Sequence, residues 1–243
     1  MSRSRLFNHS VLALVSLWGV ALVQPSQAAP ACSGVNLAQA LDTSGQVTTR
    51  FLKNIRHSGV TTIARYYDHP DETLPGKTLS AAELKRIAAR HLNVIVVFQH
   101  HNDQLASFTA DRGRADGLRS LELAGMHHQP AGSAIYFGVD GSWSQPTELA
   151  GILGYFQAVK DALAGSGYRV GVYGGGLVCK RVIGSGLADL CWLSNARSWP
   201  GYDEAMSAGA WAIRQESPVH CGGRDLDFDH LNPAIPDVGQ FTP

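Results

Sequence analysis

The sequence predicts an α/β fold in which eight strands close into a TIM-type (β/α)8 barrel, with some short or irregular helices. Strand-like apolar runs alternate with helical patterns, and several of the runs end in polar or acidic side chains. The clearest run is Ile135–Val139, which ends at Asp140. Buried strands that carry acids at their carboxyl ends are typical of barrel enzymes. An open doubly wound sheet is the alternative, because alternation alone does not establish closure.

Each helix is indicated by an apolar face or by capping residues. Ser80 and Glu83 form a predicted capping box, and a further helix is expected from Asp111 to Ala124. Pro146 stands near the start of the most clearly amphipathic segment. Parallel strands with crossover helices are therefore expected. The predicted strands, in order, are Gln39–Asp42, Val60–Tyr67, Asn93–Phe98, Ser133–Asp140, Tyr168–Tyr173, Leu190–Leu193, Ala210–Arg214 and Leu226–Phe228.

The first 28 residues are predicted to be a secretory signal peptide. Arg3 and Arg5 precede the apolar stretch Val11–Val23, and Ser26–Ala28 supplies the small residues of a cleavage site. The apolar stretch is shorter than the roughly 20 residues of a membrane span, so no stable membrane insertion is expected. The sequence thus predicts a secreted or periplasmic protein in which residues 29–243 form a single barrel domain.

Charge and cysteine content narrow the possible partners. The formal net charge is zero, which gives no indication of a nucleic-acid partner. An even number of cysteines in an oxidising compartment favours two disulfides over a zinc site, because no CxxC pair is present. We expect Cys179 to pair with Cys191, and Cys32 with Cys221. The protein is expected to be a monomer.

Four acids are candidate catalytic residues. Asp140 is the strongest, because Gly141–Ser144 separates it from the next helix and leaves it too early to act as the N-cap. Asp42 stands at a strand end but also suits a turn. Asp227 belongs to an alternating acidic pattern that should face the barrel lumen near its mouth. Glu216 is a candidate proton donor at a strand end, although for Glu216 alone a solvated loop acid is the favoured interpretation.

The candidate substrate-binding residues are aromatic and polar side chains near the same predicted face. The apolar faces of sugar rings stack on aromatic side chains while their hydroxyl groups reach polar neighbours, although core packing must account for some of these aromatics. The candidates are Arg65, Tyr66, His100, Tyr173, Trp192 and Gln215.

Two histidine pairs raise the question of a metal. His100–His101 follows a predicted strand, whereas His127–His128 precedes one and so belongs to the opposite end of the barrel. Neighbouring histidines in an extended segment also diverge, and a metal needs ligands that converge on one point. We therefore expect no metal and no cofactor.

Several motifs in order resemble a known family. The motifs are Leu41–Ser44, Gly59–Val60, Arg65–Tyr67, Lys77–Ser80 with Glu83, Ile135–Asp140, Val170–Gly174, Trp192 and Asp227. Together they resemble the glycoside-hydrolase-like domain family of secreted bacterial proteins, formerly a domain of unknown function. That family is similar to the family 25 lysozymes, which are barrels that cut the glycan strands of peptidoglycan. The resemblance covers nearly the whole predicted mature chain.

The resemblance implies roles for three acids and also exposes a departure. Asp42 matches the first-strand acid of those lysozymes, Asp140 the first acid of their fourth-strand motif, and Asp227 the acid on the last strand. Ser142 stands where the lysozymes carry the glutamate that donates the proton. A serine hydroxyl cannot fill that role at neutral pH.

Three functions therefore remain open on the sequence. The first is a secreted glycoside hydrolase that acts on bacterial cell-wall polysaccharide, with peptidoglycan as the expected substrate and another acid as proton donor. The second is a non-catalytic glycan-binding barrel that has lost the proton-donor glutamate. The third is a metal-dependent phosphodiesterase on the same barrel.

Overall fold

The computed structural model describes residues 39–70, 74–221 and 224–243, in which strands and helices alternate. The strands are β1 (Ala40–Asp42), β2 (Thr62–Tyr67), β3 (Asn93–Phe98), β4 (Ala134–Val139), β5 (Arg169–Gly174), β6 (Leu190–Leu193), β7 (Ile213–Gln215), β8 (Val219–Cys221) and β9 (Arg224–Leu231). The helices are α1 (Thr49–His57), α2 (Ala81–Ala88), α3 (Ala110–Met126), α4 (Pro146–Leu163), α5 (Gly176–Gly184) and α6 (Tyr202–Ser207). The predicted signal peptide and Cys32 lie outside the described residues.

The sheet closes into an eight-stranded barrel, which confirms the predicted fold and rules out the open sheet. Strands β1 to β7 are parallel neighbours in chain order, and β9 pairs with both β7 and β1. The expectation that all strands are parallel is wrong for β9, which is antiparallel to both neighbours. The reason is that β9 follows β8 in an antiparallel pair instead of following a crossover helix.

Alternate residues of each strand face two separate cores. One set packs between the barrel and its helices, and the other fills the lumen. In the lumen, the rings of Tyr136 and Trp192 meet edge to face with centroids 5.8 Å apart. A Cβ at Gly171 would lie 2.3 Å from the Tyr136 ring, so only glycine leaves room for it. The Tyr136 hydroxyl donates to the carbonyl of Val238 at 2.7 Å. The segment after β9, which contains Val238, therefore covers the end of the barrel at which the parallel strands begin.

Helix starts follow the predicted capping chemistry with one change. The Ser80 hydroxyl accepts the backbone N–H of Glu83 at 3.2 Å, as a capping box requires. The Glu83 carboxylate, however, does not return to the N-cap; it accepts from Arg65 and from the backbone N–H of Val47. The buried guanidinium is a stronger partner than a cap N–H.

In the described part of the chain, no helix has both the length and the hydrophobicity that a membrane span needs.

A disulfide joins Cys179 of α5 to Cys191 of β6, as predicted. Both residues are buried between the helix and the strand. The other predicted pair includes Cys32, which the described ranges do not contain.

Replacing Cys179 and Cys191 together by alanine should lower the free energy of unfolding by about 2–4 kcal/mol, because the unfolded chain gains conformational freedom. Urea denaturation measures the change. Adding a thiol reductant during unfolding should shift the wild type toward the double variant and leave the variant's own midpoint unchanged. Equal midpoints for wild type and variant without reductant would contradict the expected contribution.

Candidate active site

Two adjoining cavities occupy the mouth formed by the carboxyl ends of the parallel strands. The narrower has a volume of about 200 Å³ and is lined by Asp42, Tyr66, Val97, Gln99, Asp140, Tyr173, Trp192, Gln215 and Asp227. The wider has a volume of about 510 Å³ and is lined by Ser44, Tyr66, Leu74, Lys77, Gln99, His100, His101, Asn102, Asp103 and Asp140. Tyr66, Gln99 and Asp140 belong to both walls. This end of a barrel is where active sites of the fold are built.

Asp42 is held at the narrow cavity by two hydrogen bonds. The Tyr66 hydroxyl donates to Oδ1 at 2.8 Å, and Gln215 Nε2 donates to Oδ2 at 3.1 Å. The Tyr173 hydroxyl in turn donates to Gln215 Oε1 at 3.0 Å. Side chains from β1, β2, β5 and β7 therefore fix one carboxyl group. This arrangement is a preorganised one, because each partner is itself held by the barrel.

Burial and a neighbouring charge change the chemistry of Asp42. The residue is 2% exposed, and Asp227 stands opposite it in the β1–β9 pair. Desolvation and, second, the charge of Asp227 raise the pKa of Asp42 from 3.8 to about 7. Hydrogen bonds from Tyr66 and Gln215 oppose the shift but do not cancel it. Asp42 can therefore carry a proton near neutral pH.

A third acid, Asp229, lies in the same strand face as Asp227. Trp192 Nε1 donates to Asp229 Oδ1 at 2.9 Å, and the Trp192 ring packs edge-on against Tyr173 with centroids 5.4 Å apart. Burial and the charge of Asp42 hold the pKa of Asp229 well above its usual range. Trp192 is thus a wall of the narrow cavity and a partner of a buried acid.

Asp140 stands where the two cavities meet. Its backbone N–H donates to the carbonyl of Asn102 at 2.8 Å, and Asn102 Nδ2 donates to the carbonyl of Gly138 at 2.7 Å. The segment after β3 therefore fixes the end of β4. Burial and, second, the charge of Asp103 raise the pKa of Asp140. Asn102 contributes to this geometry, and sequence reasoning did not identify it.

Arg65 does not reach either cavity, contrary to its predicted role in substrate binding. Its side chain is 0% exposed and lies in the layer between barrel and helices, where Nε meets Glu83 Oε1 at 2.7 Å. The guanidinium also donates to the carbonyls of Thr43, Gly76 and Lys77. Adjacent residues of a strand face opposite sides, so Arg65 points away from the lumen that Tyr66 enters. It joins the segments that follow β1 and β2.

Glu216 also lies away from the narrow cavity. It follows Gln215, whose amide reaches Asp42, and its own carboxylate pairs with Arg214 Nη1 at 2.7 Å and His230 Nε2 at 3.2 Å. The same alternation that turns Gln215 inward turns Glu216 outward. The structure therefore does not bring Glu216 together with the other candidate acids.

The histidine pairs occupy separate places. His100 lines the wider cavity, whereas His127 is buried and its Nε2 bonds the carbonyl of Leu79 at 2.9 Å. Within residues 39–70, 74–221 and 224–243, no group of three or more His, Cys, Asp or Glu side chains is placed to hold a metal ion.

Fold and site together define a TIM-type barrel with acids and aromatic side chains at its C-terminal mouth. The chain belongs to the Rv2525c-like, glycoside hydrolase-like domain family, whose sequence model matches residues 53–224. This confirms the family that the sequence motifs resemble.

A curated protein of Bacillus subtilis matches most of this chain. The Bacillus subtilis protein YbfG is 29% identical over 205 residues, which are 79% of this chain but only 28% of YbfG. The chain therefore spans less than a third of that relative.

Two solved structures share the fold. The Mycobacterium tuberculosis Tat-secreted protein Rv2525c, in complex with L-tartrate, is 22% identical with a TM-score of 0.70 and coverage of 84% of this chain and 98% of that chain. The modular autolysin LytC from Streptococcus pneumoniae, in complex with a synthetic peptidoglycan ligand, is 14% identical with a TM-score of 0.51. That match covers 79% of this chain and 46% of LytC. At these levels of sequence identity, the structural similarity establishes only the barrel fold.

Proposed function

We propose that this protein is an exported hydrolase that cuts glycosidic bonds in bacterial cell-wall polysaccharide, with peptidoglycan as its substrate. The observation that carries the proposal is the narrow cavity, where Asp42, Asp140 and Asp227 stand among Tyr66, Tyr173 and Trp192. Carboxyl groups supply the proton and the negative charge of glycoside hydrolysis. The aromatic side chains suit sugar rings.

Each of the three acids has a separate role in the proposed reaction. Asp42 donates a proton to the departing glycosidic oxygen, because its raised pKa keeps it protonated near neutrality. Asp140 orients the attacking group and stabilises the positive charge that develops on the sugar. Asp227 maintains the raised pKa of Asp42 through its own charge. Asp42 thereby serves as the proton donor, a role that the hydroxyl of Ser142 cannot fill.

Two structurally similar proteins support the proposed cell-wall substrate and the proposed export. LytC was solved with a peptidoglycan ligand and Rv2525c is Tat-secreted, and both share this fold. The predicted signal peptide supports export, so we propose that residues 29–243 act as a monomer outside the cytoplasm.

Replacing Asp140 by asparagine should lower the release of soluble sugar fragments from purified peptidoglycan by about 10²–10⁴-fold, because the charge at the reacting sugar is lost. Mass spectrometry of the supernatant measures the release. The exposed Asp203 of α6 provides the matched control, and Asp203→Asn should retain wild-type release. Equal release by Asp140→Asn and wild type would contradict the role of Asp140.

A non-catalytic glycan-binding barrel is the second candidate. It is favoured by the exposed Ser142 at the position of the lysozyme glutamate, and by the absence of any glutamate from the described lining of the two cavities. If the wild type co-sediments with peptidoglycan and releases no fragments, this candidate replaces the hydrolase.

A further inference from the structure

A histidine and a buried carboxylate form a pair at the rim of the wider cavity. Asp68 directly follows β2 and His100 comes shortly after β3, and these parallel strands pair up to Tyr67 and Phe98. His100 Nδ1 lies 2.7 Å from Asp68 Oδ1. Lys77 Nζ lies 3.1 Å from the other oxygen of Asp68. Strand pairing therefore holds the carboxylate and the imidazole together.

The hydrogen bond to Asp68 determines which nitrogen of His100 is free. An ionised carboxylate is only an acceptor, so Nδ1 carries the proton and Nε2 keeps its lone pair. Nε2 has no hydrogen-bond partner among the described residues. The side chain is 15% exposed and lines the cavity whose wall also contains Asp140. An oriented imidazole with an unused acceptor beside the proposed reaction site is suited to accept a proton.

The surroundings of His100 favour its neutral form. The rings of His69 and His101 stand edge-on to it, with centroids at 5.2 Å and 4.4 Å. Arg112 Nη2 donates to the His100 carbonyl at 2.9 Å. Burial lowers the pKa of His100, with Arg112 and His101 acting in the same direction and Asp68 opposing them. The imidazole is therefore an available base near neutrality, and Asp103 and Asp140 are the acids that share its cavity.

We propose that His100, oriented by Asp68, is the base that removes a proton from the attacking water. This inference rests on the proposed hydrolase function and adds a catalytic residue to it. The water proton passes to Nε2 while the water oxygen bonds to the anomeric carbon. The bond from that carbon to the glycosidic oxygen breaks, and the departing oxygen takes the proton of Asp42. Solvent then removes the proton from His100 and returns one to Asp42.

This sequence of events is a single displacement, so it inverts the anomeric configuration. It differs from the retaining mechanism, in which one group serves first as acid and then as base. Here the base follows β3 and the proton donor is the last residue of β1.

Peptide-free glycan strands prepared from peptidoglycan provide a soluble probe. Proton NMR at early times should show α reducing ends when the wild type cuts β-linked strands. His100→Asn, whose amide can still donate to Asp68, should lower kcat by about 10²–10⁴-fold. Sodium azide should restore turnover in this variant and yield an α-glycosyl azide, which a merely structural role would not produce. His57→Asn, at an exposed histidine of α1, is the control and should retain wild-type kcat.

The outcomes separate this inference from the function on which it rests. Early β reducing ends, or unchanged kcat in His100→Asn, would overturn the role of His100 while leaving the hydrolase intact. A wild type that releases no fragments would overturn both.

Discussion

Asp42→Asn should lower hydrolysis of peptidoglycan glycan strands by about 10²–10⁴-fold at pH 6, because asparagine cannot donate a proton to the leaving oxygen. The substitution preserves the shape of the side chain, so Tyr66 and Gln215 can still surround it. Burial makes the protonated form of Asp42 the favoured one up to a pH of about 7. Initial rates of fragment release by wild type and variant measure the effect. A variant with wild-type rates would exclude Asp42 as the proton donor.

The pH profile of the wild type should reveal the same group. A general acid must be protonated, so activity should be present below the pKa of Asp42 and fall as the pH rises through about 7. Asp227 contributes to the raised pKa, and Asp227→Asn should therefore move this fall to lower pH. An alkaline limb at the same pH in both proteins would contradict the coupling of Asp42 and Asp227.

Arg65→Met should lower the free energy of unfolding by about 3–5 kcal/mol, because it leaves the buried carboxylate of Glu83 without its cation. Both side chains are 0% exposed, and Arg65 also satisfies the carbonyls of Thr43, Gly76 and Lys77. Thr43 is the neighbour of Asp42, so activity should fall along with stability.

Urea denaturation measures this loss in the free energy of unfolding, and an ion pair on the surface provides the matched control. Arg169 pairs with Asp237 at 2.7 Å, but these side chains are 29% and 62% exposed. Arg169→Met should therefore cost no more than about 1 kcal/mol. Arg65→Met combined with Glu83→Leu should recover part of the loss, since no buried charge is then left unpaired. A single Arg65 variant as stable as the Arg169 variant would contradict the structural role of Arg65.

The strand ends show how much of the site could be predicted. Asp42 and Asp140 were identifiable because an apolar run leads directly to each, and parallel strands bring such ends to one mouth. The period of a strand could also have excluded Arg65, since it cannot share a face with Tyr66. The same argument separates Glu216 from Gln215.

Other features depend on contacts between distant segments. The antiparallel closure by β9 arises from its pairing with β8, for which the strand patterns offered no separate signal. The pKa of Asp42 depends on Asp227, which lies far along the chain but opposite it in the barrel. The bond between Asp68 and His100 likewise requires adjacent strand ends. Sequence patterns identify such residues but not their partners.

Hydrolysis of peptidoglycan in H₂¹⁸O tests the central claim most directly. If the protein cuts glycosidic bonds with water, mass spectrometry should find one ¹⁸O at the new reducing end of each released glycan fragment. Asp42→Asn and Asp140→Asn should release almost none of these fragments. Co-sedimentation of the wild type with peptidoglycan but no labelled reducing ends would contradict the claim and identify the barrel as a binding domain.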